Sequence, residues 1–258
     1  MSFTVLIPAR LASTRLPGKV LLPIGELPMI EQVRRRALAS GALRVVVAAD
    51  DMAIAAALEP FGAEVVLTAA DHRCGSERLA EAASILGLGD EEIIVNLQGD
   101  EPQMPPQLIA QVAHLLSRSP DLGVTTAAVP IQSWEELQDP HSVKVVLDTR
   151  GRALYFSRAP IPWDREHFPL PPGSPLQPGV FWRHLGLYAY RVAFLRDYAA
   201  WPQAQLEQVE SLEQLRILAQ GLPMGVYCAQ ESPPAGVDTP ADLARVRAAF
   251  SCSTAQES

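Results

Sequence analysis

The first 120 residues alternate short apolar segments with longer segments of helical periodicity, and no other feature of the sequence restricts the possible folds as much. The apolar segments are residues 3–7, 43–49, 64–67 and 93–97. The helical segments are residues 29–40, 52–61, 76–86 and 106–117. Strands separated by helices of this length form right-handed βαβ units around a parallel sheet. The predicted strands are apolar on both faces, which is typical of buried parallel strands.

The pattern changes after about residue 120, where strand signals follow one another more closely. Residues 143–147 and 153–157 flank a turn-forming segment at 148–151 and predict a β-hairpin. The other predicted elements are a strand at 122–131 and a final strand–helix set at 180–190, 192–201, 206–220, 224–229 and 240–250. Residues 169–179 contain five prolines and two glycines, which indicates an irregular loop. We therefore expect an α/β fold with a mostly parallel, Rossmann-like sheet, helices on both faces and an inserted, more antiparallel subregion.

Charge and composition favour a globular protein with a small anionic ligand. The 258 residues are 48% hydrophobic and carry a net charge of −8, which disfavours DNA or RNA as a partner. Cys74, Cys228 and Cys252 lack the spacing of a zinc site or a disulfide framework. The N-terminus shows no signal-peptide pattern, and no apolar segment approaches the roughly 20 residues of a membrane span. We expect a cytoplasmic protein without nucleic-acid or membrane partners.

A basic loop directly follows the first predicted strand. It contains Arg10, Arg15 and Lys19, and it is broken by Pro17 and Gly18. Ligands of open α/β sheets bind outside the carboxyl ends of the strands, so three cations here suit a polyanion such as a nucleoside triphosphate. Arginine supplies planar forked donors and lysine a mobile point charge. The alternative interpretation is a solvated basic loop without a ligand.

Asp100 is a candidate metal ligand because of its place after a predicted strand, whereas Asp238 has no such support from local chemistry. Asp100 follows the strand at 93–97 and comes directly after Gly99, which allows a close backbone approach. Mg²⁺ prefers one or two carboxylates together with substrate phosphates, although Asp100 also suits a cap or turn. Asp238 precedes Thr239, a good N-cap for the last predicted helix. Local chemistry alone makes Asp238 a turn residue.

The segment at 71–81 begins another predicted helix, for which Ser76 is a plausible N-cap. Gly75 and Ser76 would offer backbone donors to a nucleotide, as helix N-termini do. His72 and Cys74 have no further ligands beside them, and structural zinc sites need four.

The second half contains several polar residues that suit either a pocket or the core. Arg158 is able to hold a carboxylate through two hydrogen bonds. His184 and Tyr188 share one face if their segment is a strand, where core packing is the alternative to ligand binding. Glu213 belongs to a glutamate-rich helical segment, and most such residues form a solvated face.

Several of these segments together resemble one enzyme family, the 3-deoxy-manno-octulosonate cytidylyltransferases or CMP-KDO synthetases. The resemblance extends from the first strand to about residue 247, and departures include Cys74, Ala49 and the proline-rich loop. The matching segments are I-P-A-R-L-A-S-T-R-L-P-G-K, A-D-H-x-x-G-x-E-R-L-A-E, V-N-x-Q-G-D-E-P, V-K-V-V-L-D, L-Y-F-S-R-A-x-I-P-W-D-R, R-H-L-G-x-Y-x-Y-R, L-E-Q-L-R and G-V-D-T-P-x-D-L.

The resemblance implies a nucleotidyltransferase that joins CMP from CTP to 3-deoxy-D-manno-octulosonate (KDO) for lipopolysaccharide synthesis. It implies that Mg²⁺ is held by Asp100 and Asp238, which form the catalytic group together with Arg10 and Lys19. CTP would contact Pro8, Ala9, Arg10, Arg15, Lys19, Gly75, Ser76 and Arg78. KDO would contact Gln98, Arg158, His184, Tyr188, Glu213 and Gln214.

Residues 1–250 are expected to form one nucleotidyltransferase domain. Residues 1–120 would mainly bind nucleotide, 121–220 would bind the sugar and mediate dimerisation, and 221–250 would return to the main sheet. Residues 251–258 form a predicted polar tail. A homodimer is expected because the second half has more aromatic residues than a sugar pocket needs. These are Tyr155, Phe156, Trp163, Phe181 and Trp182.

Two alternatives to KDO activation stay open at the level of sequence. One is CMP activation of another acidic sugar, such as 8-amino-KDO or a sialic acid. The other is a nucleotide-sensing protein that has kept the fold without turnover, which the intact Lys19, Asp100 and Asp238 disfavour.

Overall fold

The computed structural model describes residues 2–13, 15–72, 74–171 and 173–254. Its strands are β1 (Thr4–Ala9), β2 (Pro23–Ile24), β3 (Leu27–Pro28), β4 (Arg44–Ala49), β5 (Glu64–Leu67), β6 (Ile93–Asn96), β7 (Val124–Pro130), β8 (Lys144–Leu147), β9 (Ala153–Ser157), β10 (Trp182–Arg191) and β11 (Gly225–Cys228). Its α-helices are α1 (Met29–Ala39), α2 (Met52–Leu58), α3 (Gly75–Ile85), α4 (Pro106–Ser117), α5 (Trp134–Gln138), α6 (Val192–Ala200), α7 (Gln205–Glu210), α8 (Leu215–Ala219) and α9 (Pro240–Thr254).

The main sheet has the strand order β11-β7-β10-β6-β1-β4-β5. The four strands of the first half, β6, β1, β4 and β5, all run parallel. β10 runs antiparallel to both of its neighbours, β6 and β7, and it also pairs with β8 of the β8–β9 hairpin. The predicted α/β class, the parallel first half and the more antiparallel insertion are confirmed.

Helices cover both faces of the sheet because the strands carry apolar side chains on both. In β1, Ile7 packs into the core layer that contains Val33 of α1 and Ile109 of α4. Its neighbour Leu6 points to the opposite layer, which contains Leu79 of α3. This alternation is the normal strand geometry, applied to a sequence that is apolar at every position after Thr4.

The segment at 206–220 is not one helix, and the prediction that it is continuous was wrong. α7 ends at Glu210, where Ser211 adopts the left-handed region with φ 51°, and α8 begins only at Leu215. The side chain of Arg158 donates hydrogen bonds to the carbonyls of Glu210 and Ser211, which the helix break leaves without helical partners. The connection between the helices carries two of the predicted substrate residues.

The other differences are at helix ends. The predicted helix at 52–61 ends as an α-helix at Leu58 and continues as a 3₁₀ turn over Glu59–Phe61. The N-cap of α3 is Cys74, so Ser76 lies inside the helix rather than at its cap. α9 continues to Thr254, so the beginning of the predicted polar tail is helical; residues 255–258 lie outside the described residues.

The aromatic residues of the second half differ in exposure. Phe156 and Phe181 lie in the core, at 0% and 2% exposure, and are not available to a partner chain. Trp163 is 60% exposed. The excess of aromatic residues that suggested an interface is thus partly a core feature, which burial in three dimensions decides and sequence does not.

Within the described part of the chain, no helix has the length and apolar character needed to cross a membrane.

Candidate active site

A cleft of about 480 Å³ lies at the carboxyl ends of β1 and β6, and we call it the main cleft. It is lined by Pro8, Ala9, Arg10, Ser13, Arg15, Lys19, Val20, His72, Cys74, Gly75, Arg78, Gln98, Gly99, Asp100 and Asp238. This set includes every residue predicted to contact nucleotide except Ser76, and it includes both predicted metal ligands. The location is the one expected for a ligand of an open α/β sheet.

The basic loop is held in shape by backbone hydrogen bonds. The N–H of Gly18 donates to the Leu11 carbonyl at 3.2 Å, and the N–H of Leu11 donates to Asp50 Oδ1 at 3.0 Å. Gly18 has φ +63°, a left-handed conformation that glycine adopts without strain, and Lys19 begins the 3₁₀ turn that follows. The loop therefore turns back on itself and directs Lys19 to the floor of the main cleft.

A close backbone contact sets the depth of the main cleft. A Cβ atom at Gly99 would lie 2.8 Å from the carbonyl oxygen of Pro8 and 3.3 Å from Ile30. Only glycine fits at that distance, so the ends of β1 and β6 approach closely. The close approach that the sequence predicted at Gly99 is present.

Lys19 lies between the two candidate metal ligands. Its Nζ donates to Asp100 Oδ2 at 2.6 Å and to Asp238 Oδ1 at 3.0 Å, and it also contacts the Val237 carbonyl at 3.1 Å. The N–H of Val237 donates to the Asp100 carbonyl at 2.9 Å, which joins the two aspartate segments directly. The Arg15 guanidinium is exposed and lies 3.4 Å from Asp238 Oδ2.

Asp238 reaches the main cleft because the chain before α9 is fixed at two points. Thr239 and Asp242 form a reciprocal cap, in which the N–H of Asp242 donates to Thr239 Oγ1 and the N–H of Thr239 donates to the Asp242 carboxylate. Val237 packs with Ile24 and Leu243 in a small apolar cluster. The predicted cap at Thr239 is confirmed.

The charges on the floor of the main cleft shift the pKa of two groups. Partial burial lowers the pKa of Lys19, but the charges and hydrogen bonds of Asp100 and Asp238 outweigh burial and leave the pKa above its usual value. Burial raises the pKa of Glu101 to about 8, and the two aspartate charges add to this effect. At neutral pH, Lys19 is charged and Glu101 is mainly protonated, so Glu101 adds little negative charge to the pair.

The wall formed by α3 combines backbone and side-chain groups. A Cβ at Gly75 would lie 3.4 Å from the Pro8 ring, so α3 begins directly against the end of β1. Arg78 is buried and donates to Thr68 Oγ1 at 2.6 Å and to the Ala69 carbonyl at 3.0 Å. Its guanidinium therefore also fixes the chain that follows β5.

Two of the predicted sugar residues line clefts, and the other four do not. Gln98 lines the main cleft, whereas Glu213 lines a second cleft of about 380 Å³, which we call the side cleft. Cys74 lines both clefts. Ser76 Oγ donates to Glu213 Oε2 at 3.4 Å. Burial raises the pKa of the Glu213 carboxyl, and hydrogen bonding from Cys74 partly opposes this.

His184 and Tyr188 lie on the same face of β10, with ring centroids 5.4 Å apart, despite an irregular register between Leu185 and Tyr188. His184 also packs edge-on against Phe156 and lies 3.0 Å from Thr126 Oγ1. Burial lowers the pKa of His184 to about 3, and the charge of Arg183 acts in the same direction. The ring is neutral at pH 7. Tyr188 is buried, as is Gln214.

Arg158 does not line either cleft. Its guanidinium donates to the carbonyls of Glu210, Pro140 and Ser211, at 2.7, 2.8 and 3.3 Å. Its backbone N–H donates to Glu210 Oε2 at 2.9 Å. In this state the side chain fixes the connection between α7 and α8, and a contact with substrate stays a prediction.

Asp50 was missed at the level of sequence, and His72 was considered there only as a zinc ligand. Asp50, directly after β4, accepts from Leu11 and lies 3.8 Å from Arg78, so it links the basic loop to α3. His72 lines the main cleft, and its Nε2 lies 2.5 Å from Glu81 Oε2. The position of Asp50 at the carboxyl end of a parallel strand was an available signal.

The aspartate pair fits a Mg²⁺ site that substrate oxygens complete. Among the residues described, no group of three or more His, Cys, Asp or Glu side chains is arranged to hold a metal ion. Mg²⁺ commonly takes only one or two carboxylates and keeps its remaining sites for water and substrate phosphates. Asp100 and Asp238 already converge on one cationic group, the Lys19 ammonium, within 3.0 Å.

Comparison with known proteins agrees with this geometry. A family model described as Cytidylyltransferase matches residues 4–227. The chain belongs to the cytidylyltransferase family. It is 64% identical over 252 residues to the 3-deoxy-manno-octulosonate cytidylyltransferase of Acidithiobacillus ferrooxidans, covering 97% of this chain and 100% of the relative. It is 52% identical over 258 residues to the protein of that description from Hahella chejuensis, covering 98% and 99% of the two chains.

Solved structures give the same result. The structure of CMP:2-keto-3-deoxy-manno-octonic acid synthetase complexed with CTP matches with a TM-score of 0.89 at 39% identity, covering 98% of this chain and 100% of that one. A cytidylyltransferase from Leptospira borgpetersenii matches with a TM-score of 0.62 at 16% identity, covering 98% and 87% of the two chains. The second match shows a shared fold alone. The nucleotidyltransferase fold predicted from the sequence is confirmed.

Proposed function

We propose that the protein transfers CMP from CTP to KDO and releases pyrophosphate. The observation that carries this proposal is the set of charges around Lys19. A lysine and two aspartates meet on the floor of a cleft whose mouth holds two exposed arginines, Arg10 and Arg15. Such a cleft suits a triphosphate, and the relatives at 52–64% identity are named for this reaction.

In the reaction, the anomeric hydroxyl of KDO loses its proton to solvent, and its oxygen bonds to the α-phosphorus of CTP. The bond from that phosphorus to the bridging oxygen breaks, and pyrophosphate leaves with the bond electrons. The protein positions the reactants and stabilises the developing charge rather than forming a covalent bond. Arg10, Arg15 and Lys19 would neutralise the phosphates, and the backbone at Pro8, Ala9 and Gly75 would bound the nucleotide.

Asp100 and Asp238 would hold Mg²⁺ beside the triphosphate. When bound, the ion supplies positive charge to the phosphate oxygens. Lys19 would leave the aspartates for the phosphates in this arrangement, because its ammonium occupies the space between the two carboxylates.

The sugar acid would lie near Gln98 and extend along the face of β10 toward Glu213. The carboxylate and hydroxyl groups of KDO need both donors and acceptors. Nε2 of the neutral His184 ring contacts Thr126, which leaves Nδ1 to contact the sugar, and Tyr188 offers a hydroxyl. Glu213 is able to accept from sugar hydroxyls, and Gln214 contributes an amide. Arg158 would reach the carboxylate only if its carbonyl contacts change.

We also propose that the protein works in the cytoplasm as a homodimer that serves lipopolysaccharide synthesis. The described surface of the second half has five large exposed apolar side chains that suit an interface. These are Leu154, Trp163, Leu206, Val209 and Leu222. Leu154 lies on β9, a strand that pairs only with β8 among the described strands. Light scattering tests the dimer, with Val209→Asp expected to give the mass of a monomer.

A pyrophosphate-release assay tests the reaction. CTP, UTP and ATP are each combined with KDO, 8-amino-KDO and N-acetylneuraminic acid in the presence of Mg²⁺. We expect release with CTP and KDO, with the CMP–sugar product confirmed by mass spectrometry. Release with only another acidic sugar would reassign the substrate. Nucleotide binding without release from any combination would favour a sensor over an enzyme.

A further inference from the structure

Asn96 is the last residue of β6 and lies at the centre of the sheet. It is paired in register with Leu6 of β1 on one side and with Tyr188 of β10 on the other. Side chains of residues in register share a face, so Asn96 points to the same side as Tyr188. It is fully buried, although most residues of this layer are apolar.

The Asn96 amide is only half satisfied. Its Oδ1 accepts from Gln98 Nε2 at 3.4 Å. Its Nδ2 is the one buried side-chain nitrogen or oxygen without a hydrogen-bond partner in the part of the chain that the structure describes. A buried donor without a partner destabilises the fold, and native proteins rarely keep one without a reason.

Other buried polar groups of the same sheet do have partners. Thr125 Oγ1 donates to the Val112 carbonyl at 2.9 Å, and Thr126 Oγ1 donates to the Leu187 carbonyl at 2.8 Å. The sheet therefore does satisfy its buried hydroxyls. The exception occurs between Gln98, which lines the main cleft, and Tyr188, and both are among the predicted sugar residues.

We propose that Asn96 is a binding residue of the sugar-acid subsite, whose Nδ2 donates to an oxygen of the bound sugar. The proposal rests on the proposed function. Gln98 lines the main cleft and is held to Asn96 by one long contact, so little is lost when its amide turns toward substrate. A sugar acid offers carboxylate and hydroxyl oxygens, and each of these accepts from an amide donor.

The chain offers an unusually direct test, because Asn96 is its only asparagine. Wild-type protein labelled with ¹⁵N at asparagine side chains gives a single Nδ2 signal, which requires no assignment. We expect this signal to shift when KDO is added and to stay in place with CTP alone. An unshifted signal at saturating KDO overturns the proposal.

Asn96→Leu supplies the kinetic test. Leucine has a similar volume and removes the unpaired donor, so the melting temperature should stay the same or rise. The kcat/KM for KDO should fall about tenfold, the loss expected for one neutral hydrogen bond, with the KM for CTP unchanged. Equal losses for both substrates, or no loss for KDO, would contradict a sugar contact.

Thr125→Val is the matched control. It also replaces a buried polar side chain of the sheet, but one whose partner is remote from the clefts. We expect lower stability and unchanged kinetics, the reverse of Asn96→Leu. If Asn96→Leu does not fold, the ¹⁵N signal of the wild-type protein decides alone. If the proposed function itself is wrong, the wild-type protein will form no CMP–KDO. This result is distinguishable from a failure of the Asn96 proposal alone, in which the wild-type protein still forms the product.

Discussion

Nζ of Lys19 lies 2.6 Å from Oδ2 of Asp100, across the floor of the main cleft. The same ammonium lies 3.0 Å from Oδ1 of Asp238. One positive charge thus balances two carboxylates in a partly buried place, where unpaired charges are costly. In the proposed function, Asp100 and Asp238 would hold Mg²⁺, and Lys19 would turn from the two carboxylates to the phosphates of the nucleotide.

Lys19→Met should keep the fold and lose most of the activity. Removing one preorganised charged contact to a developing negative charge typically lowers the rate by about 100-fold or more. We expect that loss in kcat/KM for CTP, measured by pyrophosphate release, with an unchanged circular dichroism spectrum. The control is Arg44→Met, because Arg44 begins β4 at the end of the sheet opposite the cleft. Wild-type activity in Lys19→Met would favour the alternative interpretation, in which the basic loop is solvated and binds no ligand.

Asp100→Asn should nearly abolish turnover, because asparagine has almost the same shape but supplies no charge to a hard cation. A Mg²⁺ titration of kcat is the measurement, and we expect no recovery at concentrations that saturate the wild-type protein. Asp90→Asn is the control, since Asp90 is an exposed partner of Arg196 outside both clefts. Normal turnover of Asp100→Asn at limiting Mg²⁺ would remove Asp100 from the metal site.

The parts of this site that lie on consecutive βα units were predictable from sequence. Arg10 and Asp100 follow strands whose parallel pairing comes from local βαβ geometry, so their shared edge was expected. Asp238 was different, because its approach depends on Val237 packing and on the cap at Thr239, far along the chain. Local chemistry left Asp238 as a turn residue, and only the family resemblance gave it a role.

The break between α7 and α8 also could not be predicted from sequence, because it involves contacts between distant parts of the chain. The segment has continuous helical periodicity and contains no proline or glycine from 206 to 220. Ser211 nevertheless adopts φ 51°, and Arg158, which follows a strand far away in sequence, donates to the carbonyls of Glu210 and Ser211. Tertiary contacts of this kind override local propensity.

Arg158→Lys should lower both the stability and the affinity for KDO. An ammonium does not span three carbonyls that a planar guanidinium reaches together. The connection that carries Glu213 would then loosen, so we expect a lower melting temperature and a raised KM for KDO, with the KM for CTP unchanged. Thermal melts and steady-state kinetics measure the two effects. A normal melting temperature with a raised KM would instead indicate direct contact with the sugar.

The half-buried imidazole of His184 should make the protein sensitive to mild acid. Burial lowers its pKa from 6.5 to about 3, so between these values the unfolded chain binds a proton that the folded ring does not. Stability should therefore be unaffected by this group above pH 6.5 and fall as the pH decreases toward 3. His184→Gln should show a shallower fall in urea midpoints from pH 7 to 4, whereas exposed His114→Gln should follow the wild type.

The buried ion pair between Glu207 and Arg216 should behave as a unit. Arg216 is 1% exposed, and its Nη2 and Nε lie 2.5 and 2.9 Å from the Glu207 carboxylate. Arg216→Met leaves a buried carboxylate without its partner, which should reduce the free energy of unfolding by about 3–5 kcal/mol. Changing both residues to methionine should recover much of this loss, because no buried charge then remains.

Urea denaturation of the two single variants and the double variant measures the coupling between Glu207 and Arg216. The exposed pair of Arg44 and Glu64 is the reference, and Arg44→Ala should reduce the free energy of unfolding by less than about 1 kcal/mol. If the changes in the free energy of unfolding at Glu207 and Arg216 are additive, the two residues are not coupled and the prediction is wrong. Since Glu213 lies between α7 and α8, the double variant should also raise the KM for KDO, even where it restores stability.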